Sequence, residues 1–277
     1  MTLHALPPRT LSLVTLGLFF ITGLALAGKA AAFDHGAWDG LLEEHVEWRR
    51  NGVTSVVDYS GLADDEDTLD AYLTKLSEVD ADTFEGFDRD HRLAFLINAY
   101  NAFTVKLILK QDERPASIRD IGSLFSGPWS QRFFTLLGKQ RTLDEVEHQM
   151  IRGNPELMDP RIHFAVNCAS VGCPALRPQA FNGDRLDQQL ADSTRRFLSD
   201  RQRNRYDEES GVLLVSPIFD WYGKDFTKAA GSLGGYLADH AKALGLTPDA
   251  RNTLAAGDLP IRFLDYNWAL NTEDNTQ

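Results

Sequence analysis

Both cysteines of the chain, Cys168 and Cys173, lie in one stretch, Arg161-Ile-His-Phe-Ala-Val-Asn-Cys-Ala-Ser-Val-Gly-Cys-Pro-Ala-Leu176, with His163 just upstream. Four chemistries are open to such a set. A disulfide between the two suits an exported protein, because compartments outside the cytosol are oxidising. Its closed loop is short, so it adds little chain-entropy stability and is open to reduction. A catalytic thiolate needs a base or a positive field, which His163 or His148 supplies, with Glu147 to orient the imidazole. A zinc site would draw on Cys168, Cys173, His163 and His148. Its Cys-x4-Cys spacing is loose, however, and no second cysteine pair exists. Two inert buried thiols are the fourth reading. The compartment argument places the disulfide first, and neither a metal nor a cofactor is expected.

Two amides belong to the same question. Asn98 and Asn101 sit beside an apolar helical stripe, and a buried amide costs stability unless it is hydrogen-bonded. Pinning a neighbouring loop is the first account. The second is that one of them steadies an oxyanion.

The elements that must position these groups follow from periodicity. Ile162, Phe164 and Val166 alternate with His163, Ala165 and Asn167, which predicts a strand that breaks into a loop at Gly172 and Pro174. Strand geometry would set His163 and Cys168 on opposite faces unless the turn after Asn167 intervenes. Leu93, Leu96, Ile97, Tyr100, Phe103, Leu107 and Ile108 trace a helix from about residue 90 to 110, capped by Asp88 or Asp90. Residues 133–142 read as a hairpin. Thr142-Leu-Asp-Glu145 is a capping box opening a helix that carries Glu147 and His148. Adjacent helical residues point about 100° apart, so these two share a cleft only at its edge.

Elsewhere a first helix is expected over about 37–50, with His45 a core or interface residue. Strands are expected over 53–59, 211–215 and 261–264, and helices over about 69–76, 182–198 and 232–244. Residues 200–210 read as a charged surface loop. Pro217-Ile-Phe-Asp-Trp-Tyr222 and Asp225-Phe226 form an aromatic cluster that packs as core or lid, or faces a ligand. Asp64-Asp-Glu-Asp67 lacks the spaced ligands and central glycine of a calcium loop, and reads as a solvated helix start. Long helices outnumber strands without regular alternation. That argues for an α+β fold, one domain with long helices around a small, mainly antiparallel sheet.

Four segments carry a family resemblance. His163-Phe-Ala-Val-Asn-Cys-Ala-Ser-Val-Gly-Cys-Pro-Ala-Leu176, Leu93-Ala-Phe-Leu-Ile-Asn-Ala-Tyr-Asn-Ala102, Leu143-Asp-Glu-Val-Glu-His148 and Phe263-Leu-Asp-Tyr-Asn-Trp-Ala-Leu-Asn271 resemble the bacterial and plant family catalogued as domain of unknown function 547. The resemblance implies that Glu147-His148 belongs to the site and puts the core of the signature at about residues 84–200. It names no substrate. The order of helix, histidine and aromatic Asp/Asn motif is also distantly similar to papain-like and transglutaminase-like enzymes. Those place a cysteine at the head of the helix, where this chain has none.

The start of the chain reads as a signal peptide over residues 1–32. Arg9 precedes an apolar run from Leu11 to Ala27, and Ala30-Ala-Ala32 offers cleavage before Phe33. Removal of the segment leaves about 245 residues, enough for one core, in the periplasm or outside the cell. The net charge of −12 becomes −14 once Arg9 and Lys29 are gone, which disfavours nucleic acid and anionic membrane surfaces. The partner is expected to be a small molecule, peptide or protein. The function expected is a thiol-dependent hydrolase or acyl transferase on an amide or thioester-like bond. A non-catalytic, disulfide-stapled binding module is the alternative.

Overall fold

The computed structural model describes residues 1–2, 32–122 and 126–276. Almost all of the expected signal peptide lies outside those residues. The described chain is α+β, and its strands form three small sheets.

The architecture is laid around one helix. Helices α1 (Gly36–His45), α2 (Tyr59–Asp64), α3 (Glu66–Glu78) and α4 (Ala81–Gly86) precede α5 (Arg89–Leu109). Asp88 starts α5 by accepting the His91 N–H at 3.0 Å, as the sequence predicts. Its burial, however, is not a stripe. From Leu93 to Val105 no residue is more than 4% exposed, because α2, α3, the turn after Thr142 and α6 (Leu186–Ser199) all pack on it. By length and hydropathy α5 passes for a membrane span, but here its surroundings are protein. The acidic run does begin a helix, and His45 is buried against Asp65 at 2.8 Å.

One sequence expectation fails near the start. The first helix stops at His45, and Val46–Arg49 turn into strand β1, paired antiparallel with β2 (Thr54–Val57). Asn51 and Gly52, both at positive φ, make the turn. Asn-Gly is a strong hairpin signal, and the helical period of the flanking residues masked it. The expected hairpin at 133–142 is present as β3 (Phe134–Leu136) and β4 (Lys139–Arg141), turned at Leu137 and Gly138.

The remaining sheet joins β5 (Arg205–Asp207), β6 (Val212–Val215) and β7 (Ile261–Phe263), with β6 and β7 parallel. Residues 200–210 are therefore not a plain surface loop: β5 lies in them, and Asp200, Arg203 and Asn204 are buried. Around this sheet pack α7 (Ile218–Trp221), α8 (Gly223–Ala230), α9 (Leu233–Asp239), α10 (Ala241–Leu244) and α11 (Pro248–Ala256).

Two apolar clusters result, one around α5 and one around Phe197, Phe219 and Phe226. Helix α6 feeds both, with Leu186 and Leu190 in the first and Phe197 and Leu198 in the second. The cysteine stretch does the same: Ile162, Ala165 and Val166 join the first cluster, Phe164 the second. The reactive loop therefore lies on the seam between them.

Candidate functional site

The segment before the cysteines is a 3-10 helix, Pro160–Phe164, and not a strand. Pro160 presets the first helical φ, and the Asp159 carboxylate accepts the Arg161 N–H at 2.9 Å. Ile162 through Asn167 are all buried, so the alternation in the sequence does not mark two faces. With the strand gone, so is the argument that separated His163 from Cys168.

Asparagines hold the loop that follows. Asn101 donates to Ala165 O at 3.0 Å and accepts the Asn167 N–H at 2.8 Å. Asn167 in turn donates to Pro174 O and accepts the Ala169 N–H, which lets Ala169 sit at φ 59°. Asn98 makes the matching pair with the Phe181 backbone, at 2.7 and 2.9 Å. Both α5 amides are thus spent on backbone and neither lines the cavity described below. That is the loop-pinning account; held on buried backbone away from the cavity, neither amide faces an oxyanion there.

Cys168 and Cys173 are joined as a disulfide, their Cα atoms 6.1 Å apart. The Cys168 N–H donates to Cys173 Sγ at 2.9 Å, and buried Arg203 donates to the Cys173 carbonyl. The zinc set and the pair of inert thiols both require free sulfurs, which this state does not have. The terminal segment runs alongside: Gly172 N–H bonds Asn267 O and Val171 N–H bonds Ala269 O, both at 2.8 Å. This contact places the Tyr266 hydroxyl 3.2 Å from each sulfur.

Beside the disulfide opens a cavity of about 210 Å³. Cys168 and Cys173 line it, together with Asp144, Glu147, His148 and His163. Aromatic rings supply much of the rest, among them Trp129, Trp221, Tyr222, Tyr266 and Trp268. Five of the seven residues singled out in the sequence therefore meet at one cavity, and the two asparagines stand behind its loop.

His163 is 2% exposed, and its Nε2 lies 2.9 Å from Asp225 Oδ2. The same oxygen accepts from Arg152 Nε at 2.7 Å. The His163 and Arg152 bonds hold the Asp225 carboxyl well below the usual carboxylate range. An ionised carboxylate only accepts, so the His163 proton resides on Nε2. Burial lowers the His163 pKa, and the ring is neutral. Its Nδ1 has no hydrogen-bond partner. The Tyr222 ring stacks on the imidazole at 3.9 Å and fixes its plane.

Glu147 and His148 come from an unusual turn. Residues Glu145–Ile151 form a π-helix, closed by the Arg152 N–H to Glu147 O bond at 3.0 Å. The expected capping box opens it, with Thr142 and Glu145 bonded reciprocally. A π turn holds more residues than an α turn, so neighbouring side chains diverge less and both reach the cavity. Arg152 donates to His148 Nδ1 at 2.9 Å, and a guanidinium cannot accept, so that nitrogen carries no proton. It cannot serve Glu147 Oε1, 3.7 Å away, which accepts no hydrogen bond. Burial raises the Asp144 pKa, with His148 opposing the shift. Burial, followed by the charge of Glu147, pushes the Tyr222 phenol up.

Comparison with known families matches this part of the chain. Residues 84–198 fit the family described as "Protein of unknown function, DUF547". Over those residues the chain is similar to the DUF547 family. No curated protein and no solved structure matches the chain. The matched residues include Glu147, His148, His163 and both cysteines, but stop short of Tyr222, Asp225, Tyr266 and Trp268. Tyr222, Tyr266 and Trp268, with Ile218 and Trp221, complete the lining from the C-terminal third of the chain, and Asp225 bonds His163 from behind it. Sequence reasoning saw Tyr222 and Asp225 only as parts of an aromatic cluster. In the sequence Tyr266 and Trp268 stand out only as members of the terminal family segment.

Proposed function

We propose that the protein is an exported thiol-dependent hydrolase or acyl transferase on an amide or thioester-like bond, held latent by the Cys168–Cys173 disulfide. The observation that supports it is the His163–Asp225 pair, with Nδ1 of the imidazole unspent, in the wall of a cavity that also contains both sulfurs. This is the arrangement of nucleophile, base and orienting carboxylate that activates a thiol.

A small dithiol opens the bridge by exchange: its two thiols become a disulfide, and Cys168 and Cys173 take up the two protons and two electrons. His163 Nδ1 then accepts the proton of the attacking cysteine, and Asp225 steadies the imidazolium. The thiolate adds to the carbonyl carbon. The departing amine or thiol takes its proton from His163, and water or a second acceptor releases the acyl group. With both asparagines away from the cavity, the Tyr266 hydroxyl, 3.2 Å from each sulfur, is the side-chain donor beside them that would serve the oxyanion.

Mild reduction of the folded protein followed by iodoacetamide at pH 6 tests the reading. One cysteine should be alkylated far faster than the other, and His163→Gln should abolish the difference. Equal, slow labelling of both would overturn it.

The way the bridge is built into its loop, with bonds to Cys173 Sγ and to the Cys173 carbonyl, favours a second reading. In it the protein is a non-catalytic module that binds a small molecule or a partner through the same cavity. Cys168→Ser and Cys173→Ser would then have equal effects, whereas a nucleophile makes them unequal.

A further inference from the structure

The cavity's lining is selective in charge. Asp144 and Glu147 are among its residues, and among the described residues no lysine or arginine lines it. Of the cations nearby, Arg152 is committed to Asp225 and to His148, and Arg119 lies outside the lining against the Trp268 ring. His163 is neutral. An anionic ligand would meet carboxylates with nothing to offset them.

The aromatic residues point the same way. Trp221 stacks on Trp268 at 5.8 Å, while Tyr266 and Trp129 pack on Trp268 at 4.4 and 5.9 Å. Ring faces carry negative potential and draw cations. Two rings of the lining already do so, with Arg119 over the Trp268 ring at 5.1 Å and Arg152 over that of Tyr222 at 4.9 Å.

Glu147 adds an independent sign. Its side chain is 8% exposed, yet Oε1 accepts no hydrogen bond, and the nearest ring nitrogen, on His148, has no proton to give. Buried carboxylates are held by partners. Here the Tyr222 phenol bonds the carboxylate, but among the described residues Oε1 has no partner.

We infer that this cavity takes an organic cation, an alkylammonium or guanidinium head group set between the Trp221–Tyr266–Trp268 rings and the Glu147 carboxylate. The inference deepens the proposed function by naming the substrate's recognised end, and it rests on the same cavity. At about 210 Å³ the space is below the roughly 300–1,000 Å³ of pockets that enclose drug-sized ligands, which fits a head group better than a whole large molecule.

The test uses the full chain with its disulfide intact, so that no thiol chemistry intervenes. Calorimetry and tryptophan fluorescence would compare n-butylammonium with 1-pentanol, choline with 3,3-dimethylbutan-1-ol, and butyrate. Each cation should bind at least tenfold more tightly than its neutral counterpart, and butyrate should not bind. Glu147→Gln should weaken the cations tenfold or more and leave the alcohols unchanged. If that variant does not fold, half-exposed Asp144→Asn should weaken the cations several-fold in a folded protein. Equal binding of cation and alcohol, tighter binding of butyrate, or cation affinity unmoved by the carboxamide variants would overturn the inference. Such a failure leaves the alkylation result standing, and slow, equal alkylation leaves cation binding standing.

Discussion

His163 Nε2 and Asp225 Oδ2 stand 2.9 Å apart, although 62 positions separate them in the chain. The contact sets the tautomer of the imidazole and leaves Nδ1 as its free acceptor. It also ties α8 to the 3-10 helix before the cysteines. Asp225→Asn should remove the charge that holds Arg152 and His163, lowering stability by roughly 1.5–3 kcal/mol, the range for hydrogen bonds to charged groups. In the mildly reduced protein it should also slow alkylation of the favoured cysteine. Denaturant melts and labelling rates, measured side by side, check both outcomes.

Asn101→Ala should destabilise the fold without touching the cavity lining. It strands the Ala165 carbonyl and the Asn167 N–H, both buried, at roughly 1–3 kcal/mol each. Because those groups hold the base of the cysteine loop, a mild thiol should also open the disulfide faster. Asn98→Ala, which releases the Phe181 segment instead, should lower stability similarly and leave the rate of opening unchanged. Urea unfolding and timed thiol release separate the two variants.

Gly172→Ala should displace Tyr266. A Cβ at this position would lie 2.9 Å from two ring carbons of Tyr266 and 3.0 Å from Asn267 O. The ring can give way only by leaving the sulfurs, since the backbone oxygen is fixed by the Gly172 N–H bond. The expected cost is roughly 1–3 kcal/mol, as for an overpacked core. A change in tyrosine-to-tryptophan energy transfer would report the movement, and an unchanged spectrum with full stability would contradict it.

Acid should weaken the fold well above the carboxylate range. Burial lowers the pKa of His163, and that of His35, bonded to Tyr72 at 2.7 Å, to about 4. A histidine held neutral in the folded state contributes stability that is full above the unfolded value, near 6.5. That stability is lost as the pH falls toward the folded value. Each such group adds a slope of at most about 1.4 kcal/mol per pH unit. Stability measured between pH 7 and 5 should therefore fall, and His35→Gln should flatten the slope. Below about pH 4 the depressed carboxyls Asp159, Asp192 and Asp225 add to the loss in the same direction.

Much of the scaffold was legible in advance where one residue's own preferences decide the outcome. Asp88 caps α5, Thr142 and Glu145 close a capping box, and Gly138 turns a hairpin. Each depends on groups a few positions apart. The errors arose where local signals competed. The helical pattern over 37–50 concealed the Asn51-Gly52 turn, and a period of two in Ile162–Asn167 suggested a strand although Asp159 and Pro160 start a 3-10 helix.

By itself the sequence determined the reactive inventory: two cysteines five apart, a histidine beside them, a Glu-His pair on a capped turn, and two amides in an apolar helix. It determined the α+β class as well, because periodicity and capping are local. The tertiary structure decided the use of each group. It spent Asn98 and Asn101 on buried backbone, since α5 is surrounded on every side and their amides meet only main chain there. It brought Asp225 to His163 and Tyr266 to the sulfurs, because those contacts form across the seam between two apolar clusters. No periodicity within either segment encodes that approach; it follows from how the clusters pack.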